Sequence, residues 1–297
     1  MAHEYLSMEV DSMPSWNIHT AHAERLLAAD GAVSRIVHDR NAFLFGNLIP
    51  DIYVGYMVPS IECPIPYRIT HFANPEHIPK PRYDEFWERY VASANGASAS
   101  LSMRNAPRVN RPYWEPLSIV AEVAHVSPSH AASFEFEVDL QDVASIQRAV
   151  FDELNEPFLP DELAESLFDM LLGTWVHLLA DCIWNQRVSD VLVARGEKPS
   201  SGFRVKKQAD FDLFGKSLSI DLVPRATPQL IAAAAVFPQY PIDERSVYRT
   251  EAVAHETVRT NFLRIEPEYQ LLDAEFFDRT FNEVNATADR LLGERLA

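Results

Sequence analysis

A histidine and an aspartate stand four residues apart inside a long apolar stretch, GTWVHLLADCIWN at residues 173–185. Pro160 followed by Asp161 and Glu162 is a favourable helix opening, and the helical period runs from there through Trp184. On such a helix His177 and Asp181 share one face, with Cβ atoms about 5–6 Å apart. An imidazole and a carboxylate at that spacing can share one divalent metal. Their neighbours are Leu171, Leu172, Trp175, Leu178, Leu179, Ile183 and Trp184, so an ionised Asp181 is costly to bury without a partner. The same spacing also fits a hydrogen-bonded His–Asp pair on a helix surface, and spacing alone does not choose between the two.

The helical period recurs along the chain. Residues 19–29 and 33–48 carry it, the second run ending before Pro50, and residues 84–94 resume it. Prolines at 50, 59, 64, 66, 75, 79 and 81 make residues 49–81 a long ordered loop. Residues 96–140 read as a loop or insertion rich in Ser, Ala and Asn, within which 133–140 alternates like a short strand; residues 142–154 read as helix. Residues 199–228, with the run RVKKQADFDLFGK, read as a second long loop. Thr227-Pro228 then opens an apolar helix to Phe237, followed by amphipathic helices over 244–263 and 267–296. There is no internal repeat and no flexible linker. The expectation is an all-α protein: one multi-helix domain over residues 1–297 with long proline-rich loops, residues 1–12 forming an N-terminal extension.

Composition narrows the function. The 26 basic and 43 acidic side chains leave a net charge of −17. Phosphate affinity rests on Lys and Arg, so a nucleic-acid partner is not expected. A small phosphate-bearing substrate fits only if a bound cation supplies local positive charge. Cys63 and Cys182 make no disulfide framework. The N-terminal MAHEYLSMEVDSMPSW has no basic start followed by an apolar run, and apolar runs such as 230–237 fall short of the roughly 20 residues that span a bilayer. A cytoplasmic location without a transmembrane segment is expected.

Further candidates lie on other segments. Asp51 follows Pro50 in GNLIPDIYVGY and His71 sits in RITHF, both in a loop of the kind that carries ligands on a rigid scaffold. Taken singly, Asp51 also fits a turn or cap and His71 a half-buried polar side chain. His19 and His22 share one side of the first helix. His38-Asp39 invites comparison with His-Asp phosphohydrolases, but a bare dipeptide is a weak signal and a solvated helix face is the better reading. Arg204, Lys206, Lys207 and Lys216 gather in an otherwise acidic chain, as a phosphate-binding stretch or as a basic surface loop. No glycine-rich phosphate loop, G-x-S-x-G elbow or H-E-x-x-H motif is present.

Taken in order, MPSWNIHTAHAERLL, FLFGNLIPD, ITHF and GTWVHLLADCIWN resemble the bacterial zinc-dependent phospholipase C family, a helical fold related to the secreted phospholipases C and more distantly to the S1/P1 nucleases. The resemblance implies one zinc site built by Asp51, His71, His177 and Asp181, with Asp51 the catalytic carboxylate. It adds His19 as ligand to a neighbouring metal, with Asp181 bridging. A zinc-dependent phosphoester hydrolase acting on a small phosphoester is implied, with substrate entering near Tyr53, Tyr56 and Phe72 and met by Lys206 and Lys207. The chain departs from the secreted enzymes at two places. Trp16 lies within the chain, which leaves it a packing role, not a ligand role. After Asp181 there is only His255 followed directly by Glu256, and no His-x-x-x-Glu, so one or two zinc ions are expected. The reading from another class is a non-catalytic helical protein with a structural or vestigial zinc site.

Overall fold

The computed structural model describes residues 15–74, 76–95, 160–263 and 266–296. Through these the chain runs as α1 (Trp16–Ala28), α2 (Ala32–Ile36), α3 (Arg40–Gly46), α4 (Ile49–Ile52), α5 (Tyr67–Thr70) and α6 (Tyr83–Phe86), which continues through a π-helical turn, Trp87–Val91, into α7 (Ala92–Asn95). Then follow α8 (Pro160–Arg195), α9 (Ser201–Ser217), α10 (Pro228–Ala235), α11 (Glu244–Arg259) and α12 (Ala274–Leu296). The fold is all-α. Among the described residues the only β pairing is an isolated bridge between Ala73 and Pro81. The expected N-terminal extension 1–12, the insertion 96–140 with its strand-like 133–140, and the helix 142–154 lie outside the described residues.

Helix α8 extends eleven residues beyond the apolar period, to Arg195. It stops at Gly196, whose φ of 65° a non-glycine residue rarely adopts. The Gly196 and Glu197 amides close the last turn onto Val193 O and Leu192 O. The expected helix 33–48 is two helices instead. Val37 turns extended, and Asp39 caps α3 through Ala42 N at 2.9 Å. Within the expected loop 49–81 lie two four-residue helices, α4 and α5, that carry Asp51 and lead into His71. The largest correction concerns residues 199–228. Their first part is the 17-residue helix α9, capped by Ser200, which accepts from Phe203 N.

Two apolar clusters form the interior. One gathers Trp16, Phe43, Phe45, Ile52, Trp175 and Leu179; the other gathers Ile18, Ala180, Trp184, Phe211, Phe214 and Phe277. Helix α8 crosses from the first to the second between Leu179 and Ala180, and α1 lies between the two, giving Trp16, Ala23, Leu26 and Leu27 to the first and Ile18 and Ala21 to the second. The helix over residues 162–195 is long enough to cross a membrane and has an 18-residue window of mean hydropathy 1.3, but 83% of that window is buried inside the fold.

Helices α3 and α8 approach each other closely at two glycines. A Cβ on Gly173 would lie 2.1 Å from Phe43 O and 2.8 Å from Asn47 N, and one on Gly46 would lie 2.0 Å from Met170 O. Such an approach needs the absence of a side chain at both positions. It presses the Asn47 backbone against the α8 face that carries His177.

Candidate metal centre

His19, Asp51, His71, His177 and Asp181 converge where the two apolar clusters meet, each 0% exposed. Helix α1 supplies His19, α4 Asp51, the end of α5 His71, and α8 both His177 and Asp181. His71 Nε2 lies 3.2 Å from His177 Nε2, 3.3 Å from Asp51 Oδ1 and 3.5 Å from Asp181 Oδ2. His177 Nε2 is 3.8 Å from Asp181 Oδ2, and His19 Nε2 is 3.2 Å from Asp181 Oδ1. Tetrahedral zinc with bonds of about 2.0–2.1 Å sets its donors about 3.3–3.4 Å apart, and this cluster has that spacing.

Hydrogen bonds outside the cluster decide what its atoms offer inside. His177 Nδ1 is 2.7 Å from Asn47 O. A carbonyl only accepts, so the proton sits on Nδ1 and Nε2 keeps its lone pair. Thr70 Oγ1 donates its single proton to Tyr67 O and lies 2.8 Å from His71 Nδ1. It therefore accepts from His71 Nδ1–H, and His71 Nε2 is a lone pair too. Two nitrogen lone pairs and two carboxyl oxygens thus face one another, a set of acceptors that one bound cation satisfies together and that without a cation needs a proton on a carboxyl. His19 Nδ1 and Nε2, Asp51 Oδ1 and Asp181 Oδ1 are likewise buried without a hydrogen-bond partner. The residues fit a divalent metal, as two triads: His19, Asp51 and His177, or His71, His177 and Asp181, whose ligand atoms lie within 4.8 Å of one another.

Ring orientation separates the triads. His19 and His177 stack at 3.7 Å with planes only 7° apart. An imidazole binds a metal in its own plane, and two parallel planes so spaced cannot share one ion. His71 and His177 are inclined at 59°, and their Nε2 atoms can meet at one ion. As arranged, His71 and His177 are the pair that serves a common ion, while His19 faces the other oxygen of Asp181.

Burial sets the protonation states of the metal-free cluster. It lowers His19 and His177 to about 3 and His71 to about 4, so all three rings stay neutral, with a neighbouring histidine adding to the effect at His19 and His177. Burial raises Asp51 to about 7 against the opposing pull of His177, and raises Asp181 despite His177, His71, Tyr67 and Lys207. A cation would hold both carboxylates ionised.

Comparison with protein-family models, with curated proteins and with solved structures finds no match in any of the three.

The residues expected around the site fall in different places. Phe72 is buried beside His71 with a left-handed φ of 54°, a strained backbone for a bulky residue. Tyr53 is buried, its hydroxyl 3.3 Å from Asp243 Oδ2. Tyr56 is half-buried within electrostatic reach of Tyr67. Lys207 is 3% exposed and close enough to Asp181 to favour its ionised form, whereas Lys206 is exposed on α9. His22, the neighbour of His19 on α1, is satisfied by protein: Trp184 Nε1 donates to its Nε2 at 3.1 Å, and its Nδ1 lies 2.8 Å from Asn285 Oδ1. Asp39 is spent on capping α3, and His38 is exposed. Glu256 pairs with Arg259, and neither it nor His255 belongs to a ligand group.

Four positions escaped the sequence reading. Tyr67 stacks on His71 at 3.8 Å and donates to Asp181 Oδ2 at 3.1 Å. Thr70 orients His71. Trp16, expected only to pack, also donates from Nε1 to Asp51 Oδ2 at 2.9 Å. Tyr67 lies four residues before His71, a spacing that pairs side chains over one helical turn. The Asn47 carbonyl left no side-chain signal to find.

Proposed function

We propose that the cluster holds one or two zinc ions and that the protein is a metal-dependent phosphoester hydrolase. The observation that carries this reading is the surplus of donors. A closed structural zinc site uses four protein ligands. Here five buried side chains converge, and Asp181 presents one oxygen to His19 and the other towards His71 and His177. The order of the motifs and their resemblance to the zinc-dependent phospholipase C family support the same reading.

Bound zinc supplies two things, a lowered pKa for a water and polarisation of a phosphoryl oxygen. The chain's own residues do the rest. His71 and His177 are held as single-proton tautomers by Thr70 and Asn47, so their Nε2 atoms stay available at neutral pH. Asp51 keeps Oδ1 free of hydrogen bonds and turned towards His71 Nε2, where it would help to hold the ion that activates the water. Lys207 adds a buried positive charge beside Asp181, which favours an anionic substrate over a neutral one.

The full burial of all five side chains favours the second reading, a structural or vestigial zinc site. Metal analysis of the purified protein, with hydrolysis assays on chromogenic phosphodiesters and phosphomonoesters, separates the two. Wild type should carry metal and hydrolyse one substrate class. Asp181→Asn keeps the side-chain size and removes the charge, so it should fold but lose metal and hydrolysis together. Full metal content without hydrolysis of any phosphoester would leave the structural reading standing. An Asp181→Asn protein with undiminished metal and activity would show that neither depends on this cluster.

A further inference from the structure

Asp51 and Asp181 are held in unlike ways. Asp181 turns its two oxygens towards different histidines. Asp51 is gripped on one oxygen only: its Oδ2 accepts from the Trp16 indole at 2.9 Å, and its Oδ1, without a hydrogen-bond partner, lies 3.3 Å from His71 Nε2. We infer that Trp16 is a positioning residue whose indole N–H fixes Asp51 as a one-oxygen ligand. The inference rests on the metal reading above and goes beyond it, because it assigns the coordination mode of Asp51 to a side chain 35 residues away.

The placement supports this role. Trp16 is the first residue of α1 and 1% exposed, and it stands three positions before His19. One rigid helix therefore delivers both an indole to the carboxylate and an imidazole to its neighbour. Asp51 sits on a buried helix of only four residues, and among the described residues the indole is the one hydrogen-bond donor to its carboxylate, so it decides which oxygen turns to the histidines. With Oδ2 occupied by the indole, Asp51 takes up one position at an ion rather than two. That leaves room for water or substrate, the difference between a catalytic and a closed site.

The test is a Co(II) titration of wild type and Trp16→Phe, which keeps an aromatic ring and removes the donor. Wild type should give the intense visible spectrum of a four-coordinate ion. The variant should bind about 10–100-fold more weakly, as losses of outer-shell partners do. Its spectrum should be weaker, because a freed Asp51 rotates to bind through both oxygens and raises the coordination number. A packing role alone would leave the spectrum of bound Co(II) unchanged. Since Phe leaves a void in the core, a second measurement uses wild type only. The ¹⁵N-labelled Trp16 indole proton should remain downfield and protected from exchange when the protein is saturated with zinc. Identical affinity and spectrum in the two proteins, or an indole released on zinc binding, would overturn the assignment while the metal centre stands. A wild type that takes up neither Co(II) nor zinc removes the centre and the assignment with it.

Discussion

His19 and His22 are one helical turn apart on α1, equally buried, and both held neutral by burial, yet they are in opposite chemical situations. His22 has a protein partner at each nitrogen, whereas His19 has none and faces a carboxylate oxygen. The sequence offers both as equal candidates, because the difference lies in Trp184 and Asn285, more than 160 residues away. His19→Ala should therefore remove one metal equivalent and leave the other, since the ion between His71 and His177 does not need it. His22→Gln should leave metal content unchanged and lower stability only. Metal analysis of the two variants beside wild type checks this, and equal metal content in wild type and His19→Ala would strike His19 from the ligands. The five candidate ligands could be picked out because each is a chemically distinctive side chain in a short motif. The groups that orient them were less legible. A backbone carbonyl such as Asn47 O carries no residue signature, and Trp16 and Tyr67 look like ordinary core aromatics until their donors are placed.

At the scale of helices, misreadings came from residues that serve two purposes. The run over residues 201–217 has Phe203, Phe211 and Phe214 on its buried face, but Lys207 and Asp210 fill the buried positions between them and hide the period. Asp210 is buried there because it accepts three backbone amides, from Gln270, Leu271 and Leu272, at 2.7–2.8 Å. In residues 33–48, Asp39 breaks an apparent helix by capping its second half. The long apolar helix was legible because buried polar residues such as Asp169, Thr174, His177 and Asp181 are few beside the apolar ones that carry its 3.6-residue period. The α3–α8 contact yields a prediction of its own. Gly173→Ala must drive the helices apart, since its Cβ would overlap Phe43 O, and overpacking of this kind costs about 1–3 kcal/mol. It should also withdraw Asn47 O from His177 and weaken metal binding, whereas an alanine at Gly202, where open space surrounds the added Cβ, should do neither. Thermal melts and metal titrations of both variants decide it. Unimpaired metal affinity in a destabilised Gly173→Ala would separate the helix contact from the site.

For the molecule as a whole, the buried titratable groups couple stability to pH and to the ion. In the metal-free protein, His19, His22, His71 and His177 resist protonation that the unfolded chain accepts below pH 6.5, so acidification from there to about 4 favours unfolding. Asp51 and Asp169, raised to about 7, and the raised Asp181 work the other way. They hold protons in the fold that the unfolded chain releases above about 4, which offsets much of the loss. A bound ion keeps Asp51 and Asp181 ionised and cancels their share of that compensation. The melting temperature of the metal-loaded protein should therefore fall steeply between pH 6.5 and 4, and that of the chelator-treated protein only slightly. Parallel curves would mean that the ion is not held by these groups. The site's position at the seam between the two apolar clusters has a consequence for how the molecule breathes. Without the ion, each cluster can open as its own cooperative unit, and amide exchange would sort into two populations, one for each cluster, with α8 divided between residues 179 and 180. With it, ligands from α1, α4, α5 and α8 are tied at the dividing line, and neither half opens without releasing the cation, so the two populations fuse into one.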